Sequence, residues 1–219
     1  MRFKAVLFDC DGVLVDSEPI TNGVLRDLLA ESGWTMTAQE CLQYFVGKTV
    51  REERVTIEAR TGRPLTQEWL DQFYQRRNRA LEERLEIVAG AHKAVAAAHA
   101  HTGQRIACAS GADRFKVQMQ LAKVGLIDYF EGCIFSGHEM ARSKPAPDVY
   151  LAAARHLQAA PQQCLVIEDS TPGVMAGAAA GATVWAYCPL PEQGPALLQA
   201  GASRLLVHMA DLPGLLLTD

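Results

Sequence analysis

The chain opens on a short unbroken apolar run, AVLF at residues 5–8, that gives way at once to Asp9, Cys10, Asp11 and Gly12. An apolar run without polar alternation fits a strand buried on both faces, as in a parallel sheet. Further on the period changes. Ile20, Val24, Leu25, Leu28 and Leu29 recur at helical spacing over residues 20–31, and the pattern stops at Gly33. Charged helical segments follow at 38–45, 50–60 and 67–85, with a break at Gly62 and Pro64 and no strand-like run among them.

From Gly90 the rhythm alternates. Helices are predicted at 91–101, 114–124, 148–157 and 171–180, and buried strands at 105–109, 133–135, 165–167 and 183–187, with one more short element expected in the tail 205–217. Strand–helix repetition implies a parallel sheet with helices on both faces, an α/β architecture. The helical stretch 15–86 then reads as an insertion between the first strand, 1–14, and the remainder, 87–219.

Bulk properties narrow the function. With 219 residues, a net charge of −4 and no basic block, the chain is not expected to bind nucleic acid. No apolar stretch reaches the roughly 18 residues of a membrane span. Met1-Arg2-Phe3-Lys4 leads straight into the first strand, so no signal peptide is expected. The six cysteines show no CxxC spacing and sit in or beside apolar runs, which reads as reduced thiols and a cytoplasmic protein.

Polar residues follow several of the strands directly: Asp9 with Asp11, Ser110 with Gly111, and Glu168 with Asp169; Ser143-Lys144-Pro145 adds a loop. An open parallel sheet gathers its strand ends along one edge. If extended backbone continues past residue 8, Asp9 and Asp11 point the same way. Two adjacent carboxylates call for a cation or a shared proton. An oxygen-only donor set suits Mg²⁺, which is readily shared with a phosphate, and thiolate or imidazole clusters for zinc are absent from the sequence pattern. Gly47-Lys48-Thr49 is not read as a phosphate loop, because Leu42 stands where the earlier glycine is needed. Gly173, Gly177 and Gly181 at GxxxG spacing are read as close helix packing.

Four motifs in order now carry a resemblance: DxDGVLVD at 9–16, the strand-end Ser110, KPAPD at 144–148 and EDSxxG at 168–173. The chain resembles the haloacid dehalogenase-like superfamily, in its beta-phosphoglucomutase-like and sugar-phosphatase branch. The resemblance implies a Rossmann-like core with an all-helical cap inserted at 15–86. It implies Asp9 as nucleophile toward phosphorus, Asp11 as general acid and then base, and Ser110 and Lys144 as contacts to the phosphoryl group, with Gly111 beside them. It also implies Mg²⁺ held by Asp9, the Asp11 carbonyl and Asp169, with Glu168 near the metal. Candidate cap contacts to substrate are Lys48 first, then Arg51, Arg54, Arg76, Arg77 and Arg79. Hexose-phosphate mutases of the family carry histidine at the position of Thr21 and basic residues near Val46 and Val50; this chain does not. The expectation is therefore a Mg²⁺-dependent phosphatase of a small phosphorylated metabolite, a sugar or sugar-acid phosphate, acting as a monomer. A mutase and a non-catalytic binding protein are the alternatives.

Overall fold

The structure, a computed structural model, describes residues 3–45 and 49–218. The chain divides into two compact units, Met1–Asp16 with Glu86–Asp219, and Ser17–Leu85.

The first unit is built on a six-stranded sheet: β1 (Ala5–Phe8), β2 (Ile106–Ser110), β3 (Ile134–Ser136), β4 (Cys164–Glu168), β5 (Thr183–Tyr187) and β6 (Arg204–Leu206). Every pairing is parallel and the order is β3-β2-β1-β4-β5-β6. The chain therefore builds outward from β1 in one direction, returns, and builds outward in the other. A reversal of this kind opens a crevice at the carboxyl ends of the strands on either side of it, here β1 and β4. All four side chains of β1 are buried, as its uninterrupted apolar run predicts. Ala5 and Leu7 join a core with Val149, Tyr150, Val166, Val174 and Val184. Phe8, one residue out of phase with Leu7, meets the ring of Phe130 edge-on at 6.1 Å.

In the second unit, among the described residues, four helices, α1 (Glu18–Glu31), α2 (Ala38–Phe45), α3 (Arg54–Thr61) and α4 (Gln67–Arg84), enclose a separate core. Leu25, Leu28 and Leu29 of α1 pack there with Phe45, Ile57, Leu70 and Phe73. Thr66 caps α4 by accepting from the Trp69 backbone N–H at 3.2 Å. Gly62 ends α3 at φ +66°.

The remaining helices belong to the first unit: α5 (Ala91–His101), α6 (Arg114–Lys123), α7 (Asp148–His156), α8 (Thr171–Ala179), α9 (Gly194–Gln199) and α10 (Leu212–Thr218). Three expectations are corrected. Residues 50–53 form a turn ahead of α3 rather than its first helical turn, with Glu52 accepting from the Thr49 N–H at 2.8 Å and hydroxyl at 2.9 Å. The tail holds both β6 and α10 where one element was expected, and α9 was not foreseen. Gly177 packs its helix on the sheet: a Cβ there would come within 2.8 Å of the Val184 side chain.

Candidate active site

The register of β1 with β4 sets the centre of the site. Phe8 lies opposite Ile167, so Asp9 and Glu168 emerge side by side where the two strands end. The Asp9 N–H donates to the Ile167 carbonyl at 2.9 Å, which holds Asp9 against β4. Lys144 reaches both from the loop before α7: its Nζ lies 2.6 Å from Asp9 Oδ1 and 2.7 Å from Glu168 Oε1. All three side chains are less than a tenth exposed. The ammonium also sits over the Tyr150 ring, 4.8 Å from its centroid.

Burial governs the acidities here. Desolvation pushes Asp9 up to about 7; Lys144 opposes this, while Glu168 and Asp11 reinforce it. Burial would raise Glu168 too, but Lys144 and the hydrogen bonds from Lys144 and Ser170 outweigh it and hold Glu168 below the usual carboxylate range. Burial disfavours the Lys144 ammonium, yet Asp9 and Glu168 overcome that and hold Lys144 well above its ordinary value. Lys144 is thus a fixed cation between two carboxylates.

Glu168 has no oxygen left over. Oε1 accepts from Lys144 and from the Tyr150 hydroxyl at 3.0 Å. Oε2 accepts from the Asp169 N–H, the Ser170 N–H and the Ser170 hydroxyl at 2.8, 2.9 and 3.0 Å. The Ser170 oxygen in turn caps α8 through the Gly173 N–H. Asp169 is less enclosed. One carboxylate oxygen each from Asp9, Glu168 and Asp169 lie within 4.8 Å of one another. Gly12 sits at φ +78°, and any Cβ there would overlap the Asp169 carboxylate. Glycine is what lets this carboxylate approach the turn after β1. An oxygen-only cluster beside backbone suits Mg²⁺. The donor set fits that ion through Asp9 and Asp169 more readily than through Glu168, whose lone pairs are already engaged.

Asp11 departs from the side-by-side expectation. Extended backbone ends at Phe8, and the chain turns through Cys10 and Gly12. Asp9 faces Lys144, whereas Asp11 faces α6: Lys116 Nζ lies 2.8 Å from each of its carboxylate oxygens, and Gln120 Nε2 donates to Oδ1 at 2.8 Å. Ser110, at the end of β2, is 1% exposed, and its oxygen accepts from the Ala112 N–H at 3.1 Å. A hydroxyl accepting one bond still has a proton to donate. The helix that follows is capped by Asp113 instead, so Ser110 is not its cap. At Gly111 an added Cβ would meet nothing within 4 Å.

The basic residues of the helical unit divide. Arg54 is paired with Glu58 at 2.9 Å and Arg76 with Glu31 at 2.6 Å, while Arg77 is buried and stacked on Tyr74 at 4.9 Å. Arg51 is exposed, 3.4 Å from Gln67, and Arg79 is exposed too. Lys48 lies outside the described residues.

Sequence reasoning missed Lys116, Gln120 and Tyr150, and it gave Ser170 no role of its own although Ser170 stands in the EDSxxG motif. A signal for the first two was present: Val117 and Leu121 mark the buried face of α6, and Lys116 and Gln120 adjoin it with the same four-residue spacing. Tyr150 had no such signal, because a tyrosine on an apolar helix face reads as core.

The haloacid dehalogenase-like hydrolase family matches residues 3–181 of the chain. The bifunctional riboflavin kinase/FMN phosphatase of Arabidopsis thaliana is 34% identical over 87% of this chain, which spans half of that longer protein. The 6-phosphogluconate phosphatase of Escherichia coli is 28% identical over 98% of this chain and 95% of its own. A solved family hydrolase from Deinococcus radiodurans, with bound phosphate and sodium, superposes with a TM-score of 0.80 at 35% identity, covering 96% of this chain and 93% of that one. The chain belongs to the haloacid dehalogenase-like hydrolases, and among them to the phosphoric monoester hydrolases that the sugar phosphatases represent.

Proposed function

We propose that the protein is a Mg²⁺-dependent phosphatase of a small phosphorylated sugar or sugar acid and works through an aspartyl-phosphate on Asp9. The observation that carries this reading is the buried Asp9–Lys144–Glu168 arrangement, with Asp169 beside it, at the chain-reversal point of the sheet. In the first half-reaction Asp11 takes up a proton from water as the negatively charged phosphoryl group binds beside it; an Asp9 oxygen then attacks phosphorus, the bond to the substrate oxygen breaks, and Asp11 gives that proton to the departing oxygen. In the second, Asp11 takes a proton from water as the water oxygen attacks phosphorus, releasing phosphate and regenerating the Asp9 carboxylate. Lys144 balances charge on Asp9 and on the phosphoryl oxygens. The Ser110 hydroxyl and the backbone at Gly111 hold the phosphoryl group. Asp9, Asp169 and the Asp11 carbonyl would hold Mg²⁺, which supplies charge neutralisation on the phosphoryl group. Glu168 acts through Lys144, fixing its position.

The named substrates of the two curated relatives support the substrate class. FMN and 6-phosphogluconate both carry phosphate on the terminal primary carbon of a polyol chain. We take the helical unit, Ser17–Leu85, as the family's cap, with Arg51 and Lys48 the basic side chains to test for substrate recognition.

The test is phosphate release from 4-nitrophenyl phosphate and from a panel of polyol phosphates. Activity should need Mg²⁺ and vanish in chelator, and Asp9→Asn should lose roughly a thousandfold or more, about 4 kcal/mol of barrier. Activity untouched by chelator or by Asp9→Asn would contradict the reading, and an isomer in place of free phosphate would identify a mutase.

A further inference from the structure

Helix α6 contributes a lysine and a glutamine that the mechanism above does not use. The Lys116 side chain is 9% exposed, and Gln120 is fully buried. Lysine is almost never buried without a partner. The Lys116 ammonium reaches both oxygens of Asp11 at 2.8 Å. Gln120, one turn further along, has its amide orientation set from two sides: Oε1 accepts from the Cys10 thiol at 3.6 Å, and Nε2 donates to Asp11 Oδ1 at 2.8 Å. The helix itself is anchored where it begins, since Asp113 accepts from the Lys116 N–H at 2.9 Å. The Asp11 carboxylate is therefore held at three points by a rigid element.

A part-buried ion pair is a poor stability device, because an apolar pair of the same volume often serves as well. What it does supply is direction. We infer that Lys116 and Gln120 are positioning residues that fix the orientation of the Asp11 carboxylate for proton transfer with the leaving-group oxygen. The inference rests on the phosphatase reading and deepens it by assigning Asp11 its supports. Neither side chain touches the reacting atoms. Loss of either lets Asp11 rotate out of line, and proton transfer tolerates misplacement poorly.

Leaving groups separate this role from a merely structural one. 4-Nitrophenolate departs with little help, whereas the alkoxide of benzyl phosphate needs a proton as the P–O bond breaks. The two esters are of similar size. In a two-step hydrolase kcat/KM reports steps through formation of the phosphoenzyme, so the ratio of kcat/KM on benzyl phosphate to that on 4-nitrophenyl phosphate reads acid assistance directly. Lys116→Met should lower that ratio at least tenfold, a modest part of the roughly hundredfold or more that general acid catalysis contributes. Gln120→Met should lower it in the same direction by less. Lys116→Arg, whose fork also grips a carboxylate at two points, should keep it within about threefold of wild type. Variants that lose activity equally on both esters, leaving the ratio unchanged, would show a structural role and overturn the inference. A wild-type protein inactive on both esters would instead overturn the phosphatase reading beneath it.

Discussion

Asp9 shows how much of this site is set by desolvation. A carboxylate at the end of a strand, shielded from water and flanked by Glu168 and Asp11, is pushed up to about 7 even with an ammonium 2.6 Å away. The arrangement depends on Glu168 staying ionised, and five hydrogen bonds to its two oxygens secure that. Tyr150 donates one of them from a fully buried position. Tyr150→Phe removes a bond to a charged acceptor and should cost about 1.5–3 kcal/mol of stability, read from the urea midpoint, with a modest loss of turnover. A change below about 0.5 kcal/mol would mean that Lys144 satisfies Oε1 alone. Residues at this scale were legible unevenly. Asp9, Glu168 and Asp169 stand out because charge follows directly on an apolar run. Lys116 and Gln120 show in the sequence only as neighbours of the apolar face of α6, and a lysine there reads as solvated until a carboxylate is known to face it.

At the scale of elements, α8 does two jobs with two glycines. Gly173, in the first turn, lies so close to the Glu168 carboxylate that any Cβ would overlap it. Gly177, one turn later, lets the helix settle on Val184 and Val166. The two alanine variants should therefore separate. Gly173→Ala displaces Glu168, frees Lys144 from its setting, and should reduce turnover by at least tenfold, with about 1–3 kcal/mol lost in stability. Gly177→Ala presses on the sheet and should lose similar stability with turnover nearly intact at a temperature where it is folded. Thermal melts alongside initial rates compare them; equal loss of turnover in both would contradict the role given to Glu168. Long, strongly periodic helices such as α1 and α4 were readable from spacing alone. Helix α9 was not, because it has six residues and begins at Gly194-Pro195, which reads as a loop. β6 was hidden for a related reason: three residues, only Leu206 of them buried, make too short a run to carry a period.

Across the whole molecule the sheet order does what no single motif can. Asp9, Lys144 and Asp169 are separated by 135 residues in one step and 25 in the next, yet β1 and β4 are neighbours and Lys144 reaches their ends. The parallel character of the sheet was legible, since strand–helix alternation admits few other folds. Its order was not, because AVLF in β1 and CLVIE in β4 are similarly apolar and carry no label of their neighbours. The four-helix unit has its own core, made of side chains that repeat at helical spacing within Ser17–Leu85. Among the described residues, no helix is long and apolar enough to cross a membrane. The central claim is covalent. The enzyme should be mixed with a hydrolysed phosphate ester and Mg²⁺, quenched in acid within the first turnovers, and digested for peptide mass analysis. The account predicts an acid-stable, hydroxylamine-sensitive phosphoryl group on Asp9, absent from Asp9→Asn. Full turnover with Asp9 never phosphorylated, or with the phosphoryl group found on Ser110 instead, would contradict it.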